Sequence, residues 1–298
     1  KGQTYLINEY DPTTNPADLN FDRLKRQTWG NPGDVIDLVY VAQTPAPANN
    51  FATIKTIYND RVGNVKEFFY DAFNRGVISR EYTGRADPDQ PTTETLNRPM
   101  GKLRTDDPDY FETRYEYNAD SLLTRTVDSN GNEELSIYDT TNSKRRSQGN
   151  LLQRCRSAGP LGGDQGQICD SFEYDDGFGG CCGTNFVTRQ VDGRGNESLH
   201  QYDANGNRIH TQHRIPSIVE DWEYNSFGQM TAHVLPDNGS AHRRRDEYTY
   251  YTAGPQLGYL EREIVDATGY DLTTTHEYDL VGNTTRVIDP LGHDSRSI

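Results

Sequence analysis

Tyr202-Asp203-Ala204-Asn205-Gly206-Asn207-Arg208-Ile209 is the stretch on which the reading of this chain turns. Strand-like residues run into it from Ser198 and leave it as far as His213, the short β-prone runs of a half-buried hairpin. Between them, Asn205-Gly206 predicts a type I′ turn, which needs positive φ at both central residues. Asp203 is placed to tie its carboxylate to main-chain N–H groups two residues on. Tyr202 suits a pleated surface and carries a hydroxyl that needs a partner. A single hairpin cannot bury its own face, so the arrangement matters because it recurs.

The same writing returns along the chain. Phe51 to Tyr58 alternates, Asn59 to Asn64 turns and Val65 to Tyr70 returns; Tyr70-Asp71 then opens another turn before Val77 to Tyr82. Tyr117-Asn118 leads into a strand from Leu123 to Val127, and a turn at residues 128–132 leads to Glu133–Tyr138. Further units begin at Tyr138-Asp139, Tyr174-Asp175, Tyr202-Asp203, Tyr224-Asn225 and Tyr278-Asp279, with a degenerate one at Tyr250-Tyr251. The period is loose, near two strands plus two turns. Residues 1–50 are less regular, with a strand expected over Val35–Val41 and a short helix over Asp18–Arg26 capped by Asp18. Residues 85–114 (proline-rich, with Asp106, Asp107 and Asp109) and 154–184 (glycine-rich) read as insertions in a repeat region spanning 51–298.

Composition fits a wetted sheet. The chain has 298 residues, only 33% of them hydrophobic, a formal net charge of −15 and 19 tyrosines. Mean hydropathy is −0.90. Such polarity leans towards disorder, but disorder does not write period-two runs. The negative charge argues against nucleic acid or an anionic membrane as partner. Lys144-Arg145-Arg146 and Arg243-Arg244-Arg245 read as solvated strand or loop charges. No apolar run approaches the ~18–20 residues of a membrane-spanning helix. Lys1 opens the chain without a signal-peptide apolar region, so a leader was either removed or never belonged to this piece, and with the repeats running almost to Ile298 a fragment of a longer chain is expected.

The units Tyr202-Asp203-Ala204-Asn205-Gly206-Asn207, Tyr224-Asn225-Ser226-Phe227-Gly228 and Tyr278-Asp279-Leu280-Val281-Gly282-Asn283 resemble the tyrosine–aspartate (YD) repeat of RHS proteins. Val127-Asp128-Ser129-Asn130-Gly131, Val191-Asp192-Gly193-Arg194-Gly195 and Ile288-Asp289-Pro290-Leu291-Gly292 are similar to the alternate turn of that family. The resemblance covers about Phe51 to His293 with two interruptions. It implies an all-β fold, a spiral of antiparallel hairpins that in longer relatives closes into a hollow shell. Such shells enclose a C-terminal toxic polypeptide in bacterial Rhs effectors and insecticidal toxin complexes, and a related shell belongs to the teneurin adhesion ectodomain. This chain has too few units to close a large shell alone. Asp289-Pro290-Leu291-Gly292 echoes the family's self-cleaving aspartyl segment, but ordinary repeats carry the same residues.

All four cysteines, Cys155, Cys169, Cys181 and Cys182, fall in the glycine-rich insertion. An even count in one loop of an apparently secreted chain favours two disulfides, each typically worth ~2–4 kcal/mol. The adjacent Cys181 and Cys182 are expected to reach back to Cys155 or Cys169, because a vicinal bond is strained. Zinc and free thiols are the competing readings; the spacing lacks the short Cys-x-x-Cys knuckles of structural zinc sites.

Residues 128–134 tempt towards calcium, but Gly131 stands fourth, where a hairpin wants it, and not sixth as an EF-hand requires. Casual Ca²⁺ binding is the most such acidic turns offer, and no cofactor is expected. The acids at Asp106, Asp107, Asp109, Asp175 and Asp176 read as solvated loop carboxylates rather than an acid–base pair. His210 and His213 have odd separation, so a regular strand turns them to opposite faces, which argues against a shared metal. No nucleophile elbow, zinc-protease pair, phosphate loop or dinucleotide fingerprint is present. Asn196-Glu197-Ser198, Asn238-Gly239-Ser240 and Asn283-Thr284-Thr285 match the glycosylation sequon.

These readings converge on a shell or scaffold segment of a secreted or surface-exposed RHS-type protein, encapsulating or delivering a C-terminal toxin. Its partners would be the rest of a longer parent chain or a toxin cargo, with no catalytic or metal-binding residue. The alternative is an adhesion or carbohydrate-binding module, in which exposed tyrosines stack on sugar rings. The structural positions of the repeat are Tyr70, Asp71, Tyr117, Tyr138, Asp139, Tyr174, Asp175, Tyr202, Asp203, Gly206, Tyr224, Gly228, Tyr278, Asp279 and Gly282.

Overall fold

A computed structural model describes residues 5–30, 34–60, 62–87, 90–94, 99, 101–174, 185–239 and 242–297. Asp175, Asp176, Cys181, Cys182 and Ser240, named above, lie outside them. The described residues form an all-β chain of twenty-one strands in one antiparallel sheet, with two 3-10 turns and no α-helix. In order the strands are β1 (Leu6–Tyr10), β2 (Leu24–Trp29), β3 (Val35–Ala42), β4 (Ile54–Asn59), β5 (Asn64–Tyr70), β6 (Gly76–Arg85) and β7 (Tyr110–Tyr117). Then come β8 (Leu123–Val127), β9 (Glu133–Tyr138), β10 (Leu151–Ser157), β11 (Ile168–Tyr174), β12 (Val187–Val191), β13 (Glu197–Tyr202) and β14 (Arg208–Gln212). The last are β15 (Val219–Tyr224), β16 (Met230–Val234), β17 (Arg245–Tyr250), β18 (Leu260–Val265), β19 (Leu272–Tyr278), β20 (Thr284–Ile288) and β21 (Asp294–Arg296).

The chain divides into two compact units, Lys1–Ile137 with Arg154–Ile168, and Tyr138–Gln153 with Cys169–Ile298. In the first, β1 to β9 pair in sequence order, each antiparallel to the next. Alternation puts Ile57, Val65, Phe69 and Ile78 inside, all nearly inaccessible, and Ala52, Phe69, Val77 and Ile78 form the core cluster with Tyr117 packed against it. The covered face also takes charge. Lys55 and Glu67 are 5% and 1% exposed and meet at 3.2 Å, while Arg80 joins Glu67 at 3.5 Å and Glu112 at 2.6 Å. Residues of the proline-rich insertion reach these strands: Glu94 approaches Lys55 at 3.6 Å, and Thr92 hydrogen-bonds with Asn59 and Asp37.

In the second unit β11 to β21 continue the same order, each antiparallel to the next. Fully buried side chains are few here, Ala232 and Thr211 among them, as expected where a sheet is wetted on much of its surface. Glu–Arg–acid ladders staple strands across the half-exposed faces of both units: Glu116–Arg125–Glu133, Glu173–Arg189–Glu197, Glu223–Arg245–Glu247 and Glu277–Arg286–Asp294. Exposed pairs of this kind contribute ~0–1 kcal/mol each and serve mainly to fix register.

Two local expectations are corrected. Asp18–Arg26 is not a helix: the Asp18 carboxylate accepts the Asn20 N–H at 2.8 Å in an Asx turn, Asp22 takes a left-handed φ of +55°, and Leu24 onwards is drawn into β2. The side chain expected to cap a helix instead closes a turn, the competition that keeps Asp out of helix interiors. Strand also enters both segments read as insertions, since β7 starts at Tyr110 and β10 and β11 cover Leu151–Ser157 and Ile168–Tyr174.

Candidate functional site: the repeated turn and the ties between hairpins

The Asp203 turn is not type I′. Gly206 has φ +88°, but Asn205 does not have positive φ. The Gly206 N–H donates to the Asp203 carbonyl (3.0 Å) and the Asp203 N–H to the Asn207 carbonyl (2.9 Å). Asp203 Oδ1 accepts the N–H groups of Asn205 and Asn207, both at 2.9 Å, and Oδ2 accepts Asn207 Nδ2 at 2.9 Å. The loop is thus a type I turn closed by one left-handed residue. The carboxylate explains the difference: it spans two amides only when the intervening residues curve right-handed around it, so one glycine suffices.

Among the described residues, nine turns share this geometry, beginning at Asp60, Asp71, Asn118, Asp128, Asp192, Asp203, Asn225, Asp279 and Asp289. Gly228 and Gly282 hold the left-handed place at φ +78° and +93°, and Asn74 and Ser121 fill it without glycine at +60° and +62°. Asp139 departs from the pattern: its N–H reaches the Asn150 carbonyl across a longer loop. Hydrogen bonding sets the carboxylate chemistry. For Asp60, Asp71 and Asp203, burial pushes the carboxyl up, but amide and side-chain donors outweigh it and hold it below the usual range. For Asp128, Asp192 and Asp279 the Asn donor four residues on is the largest cause of the lowering. The Asp128 oxygens accept from Asn130 and Asn132, as the turn requires.

At the tyrosine before a turn, the strand pair slips by one residue. This β-bulge occurs at Tyr70, Tyr117, Tyr174, Tyr202, Tyr224, Tyr250 and Tyr278. At three bulges the opposing threonine (Thr124, Thr188, Thr285) donates its hydroxyl to the carbonyl of the glutamate preceding the tyrosine, at 3.1, 3.3 and 3.2 Å. The tyrosine hydroxyl goes the other way, to the start of the preceding strand. Tyr117 donates to Gly76 O (2.9 Å), Tyr174 to Leu151 O (3.0 Å), Tyr202 to Val187 O (2.9 Å) and Tyr250 to Met230 O (2.7 Å). These bonds close the seam at the rim, where neighbouring hairpins are not joined by chain. Burial pushes all four phenols up. Tyr278 instead meets Tyr251 and Tyr259 edge-on, and Tyr202 lies against Phe186 at 5.0 Å.

Sequence reading missed two clusters. Glu220 sits between His213 Nε2 (2.7 Å) and His233 Nε2 (2.8 Å); burial acts to raise its carboxyl, but the two histidine hydrogen bonds win and lower it. Trp222 stacks on His233 at 5.2 Å, and the Arg208 guanidinium covers Trp222 at 4.7 Å. On the other face His210 Nδ1 meets Asp221 at 2.5 Å, with Arg243 on the same carboxylate at 2.6 Å. The second cluster is the buried Lys55–Glu67 pair. Their only advance signal is residue type at alternate positions, which means nothing before the register is known. Among the described residues, no group of three or more His, Cys, Asp or Glu side chains is arranged to hold a metal. Nor is any helix long and apolar enough to cross a membrane. Cys155, 3% exposed, and Cys169 are both disulfide-bonded. Asp109 is paired loosely with Lys102 at 3.6 Å, and Asp106 is exposed.

No protein-family model matches the chain, and no curated protein does. Among solved structures it is similar to a crystal structure of TcdB2-TccC3 without its hypervariable C-terminal region. That match has 11% identity and a TM-score of 0.51, over 98% of this chain and 15% of that one. The Tc holotoxin pore of Photorhabdus luminescens matches at 10% identity and a TM-score of 0.21, over 83% of this chain and 18% of that one. A porin-like protein from Bacteroides uniformis matches at 12% identity and a TM-score of 0.22, over 85% and 86%. The first likeness is one of fold, and this chain spans only about 15% of that neighbour's length.

Proposed function

We propose that the chain is a wall segment of a YD-repeat protein of the RHS type, with residues 51–298 as the repeat region and residues 1–50 leading into it. The observation that carries this reading is the recurrence, nine times among the described residues, of one carboxylate- or amide-locked turn, combined with tyrosine bonds from hairpin to hairpin. Those features spend polar groups on the sheet itself. Side chains that an enzyme would aim at substrate are here used to hold strands to strands. The fold likeness to TcdB2-TccC3 supports the same reading.

On this proposal the sheet acts by exclusion: it forms part of a barrier in a longer parent chain, spiralling around and shielding a polypeptide cargo. Disulfide-bonded Cys155 and Cys169 support a secreted or surface-exposed setting. The tyrosine bonds weigh against the glycan-binding alternative, because four of the repeat tyrosines have committed their hydroxyls to main-chain carbonyls. The test is limited proteolysis of the full-length parent protein. Its C-terminal polypeptide should resist protease in the intact protein and be digested once the sheet is unfolded in urea. A C-terminal polypeptide digested equally fast in both would overturn the proposal.

A further inference from the structure

The chain has three Asn-Gly steps, at Asn130-Gly131, Asn205-Gly206 and Asn238-Gly239. Asn-Gly is the dipeptide most prone to cyclise, because glycine offers no Cβ to obstruct attack by its own nitrogen. The fold treats the three steps differently. In the first two, the glycine N–H is bound to a neutral carbonyl, of Asp128 or Asp203, at 3.0 Å. The asparagine N–H is held as well, by the Asp128 or Asp203 carboxylate at 2.8 and 2.9 Å. Their surroundings are crowded: a methyl group on Gly131 would come within 2.9 Å of Pro160 Cδ, and one on Gly206 within 2.9 Å of Phe186 Cζ.

Asn238-Gly239 lies in the connection between β16 and β17, with residues 237–239 exposed. Around Gly239 no heavy atom of the described residues, its chain neighbours aside, lies within 4 Å of where a Cβ would stand. Its N–H is bound not to a carbonyl but to the Asp237 carboxylate, Oδ1 at 2.9 Å. A carboxylate at this distance both orients the nitrogen and can accept its proton, the geometry expected of a general base.

We propose that Asn238 is a self-modification site, at which the Gly239 nitrogen closes on the Asn238 side-chain amide with Asp237 as the base, while the turn lock protects the other two steps. The bond from Gly239 N to Asn238 Cγ forms as the proton passes to Asp237. The Cγ–Nδ2 bond breaks and the amide nitrogen, taking that proton, leaves as ammonia. One water then opens the succinimide at either carbonyl, giving aspartate or isoaspartate at position 238. The product carries one more negative charge, and the isoaspartyl form lengthens the main chain by one methylene within the β16–β17 connection. Arg243 pins the β17 end of that connection through the Leu235 carbonyl at 2.8 Å and Asp221 at 2.6 Å.

The experiment incubates the full chain, made in bacteria, at mildly alkaline pH and follows each Asn-Gly peptide by mass spectrometry and isoaspartyl methyltransferase labelling. In the folded chain Asn238 should convert at least about tenfold faster than Asn130 or Asn205, and the three rates should converge in denaturant. Asp237→Ala should slow Asn238 by about tenfold, below the usual range for a positioned general base because the loop is wet. Conversion of Asn205 or Asn130 as fast as Asn238 in the folded chain would overturn the protection half of the proposal. An Asp237→Ala rate equal to the parent's would overturn the role of the carboxylate.

Discussion

Removing the Asp203 carboxylate isolates what one turn lock contributes. In Asp203→Ala three hydrogen bonds vanish together, those from Asn205 N–H, Asn207 N–H and Asn207 Nδ2, each at 2.9 Å. Hydrogen bonds to a charged acceptor contribute about 1.5–3 kcal/mol when well buried. Here the turn is half-exposed and water can replace part of the loss, as at a helix N-cap, where truncation to Ala costs about 0.5–2 kcal/mol. The expected cost is therefore about 1–2 kcal/mol, a factor of roughly 5–30 in the local opening equilibrium. Stability in a stack of hairpins is carried by nearest neighbours, so the loss should stay local. Hydrogen exchange should speed by that factor at the Asn205 and Asn207 amides and hardly change in β5 and β6. Asp203→Asn should lose less than about 0.5 kcal/mol, because Asn118 and Asn225 hold the same two amides through Oδ1. Unchanged exchange in Asp203→Ala would refute the lock. An Asp203→Asn as damaging as Asp203→Ala would show that charge, and not acceptor geometry, holds the turn.

Gly206→Ala should cost about 1–2 kcal/mol for the left-handed backbone, plus displacement of the Phe186 ring. Gly228→Ala meets only Asn207 Oδ1 at 3.8 Å and should show the backbone cost alone, so equal shifts in denaturation midpoint would rule out the ring contact. Lys55→Met removes the 3.2 Å partner of the buried Glu67 carboxylate and leaves it Arg80 at 3.5 Å, so it should cost up to the about 3–5 kcal/mol of a broken buried pair; the Lys55→Met, Glu67→Leu double variant should recover part of that in urea unfolding. The turn aspartates at 60, 71, 128, 192, 203, 279 and 289 all have lowered carboxyl pKa values. Their stabilisation is complete above the ordinary aspartate value of about 3.9 and fades as pH falls through the lower folded values. Thermal melts followed by circular dichroism should thus drop steeply below about pH 4, and a flat profile there would contradict the turn geometry.

The sequence by itself determined the strands of the regular repeats and the places where the chain turns between them. Period-two runs, an Asp or Asn after tyrosine, and glycine three residues later are local signals, and the physics they report is local: the carboxylate reaches amides two and four residues on. That is why Leu123–Val127 and Glu133–Tyr138 are strands with the limits read from sequence. Turn type escaped because Asn-Gly satisfies type I′ equally well until the carboxylate's two amide bonds are counted. The Asp18–Arg26 segment escaped because β1 and β3 draw its second half into the sheet, a tertiary demand that local propensity does not contain.

Only the tertiary structure decided which distant residues meet. Glu220 bridges His213 and His233 because β14, β15 and β16 pair with Thr211 opposite Glu220 and Trp222 opposite His233. A shift of one residue in either register would send Glu220 to the opposite face. Lys55 and Glu67 can share a buried site because Ile57 stands opposite Glu67 in β4 and β5, and because the insertion brings Glu94 beside Lys55. The tyrosine bonds depend on the same thing: Tyr202 finds the Val187 carbonyl only after the preceding hairpin has been set beside it. Local spacing wrote each hairpin, and register, set by loop length and by which face must leave water, made them a sheet.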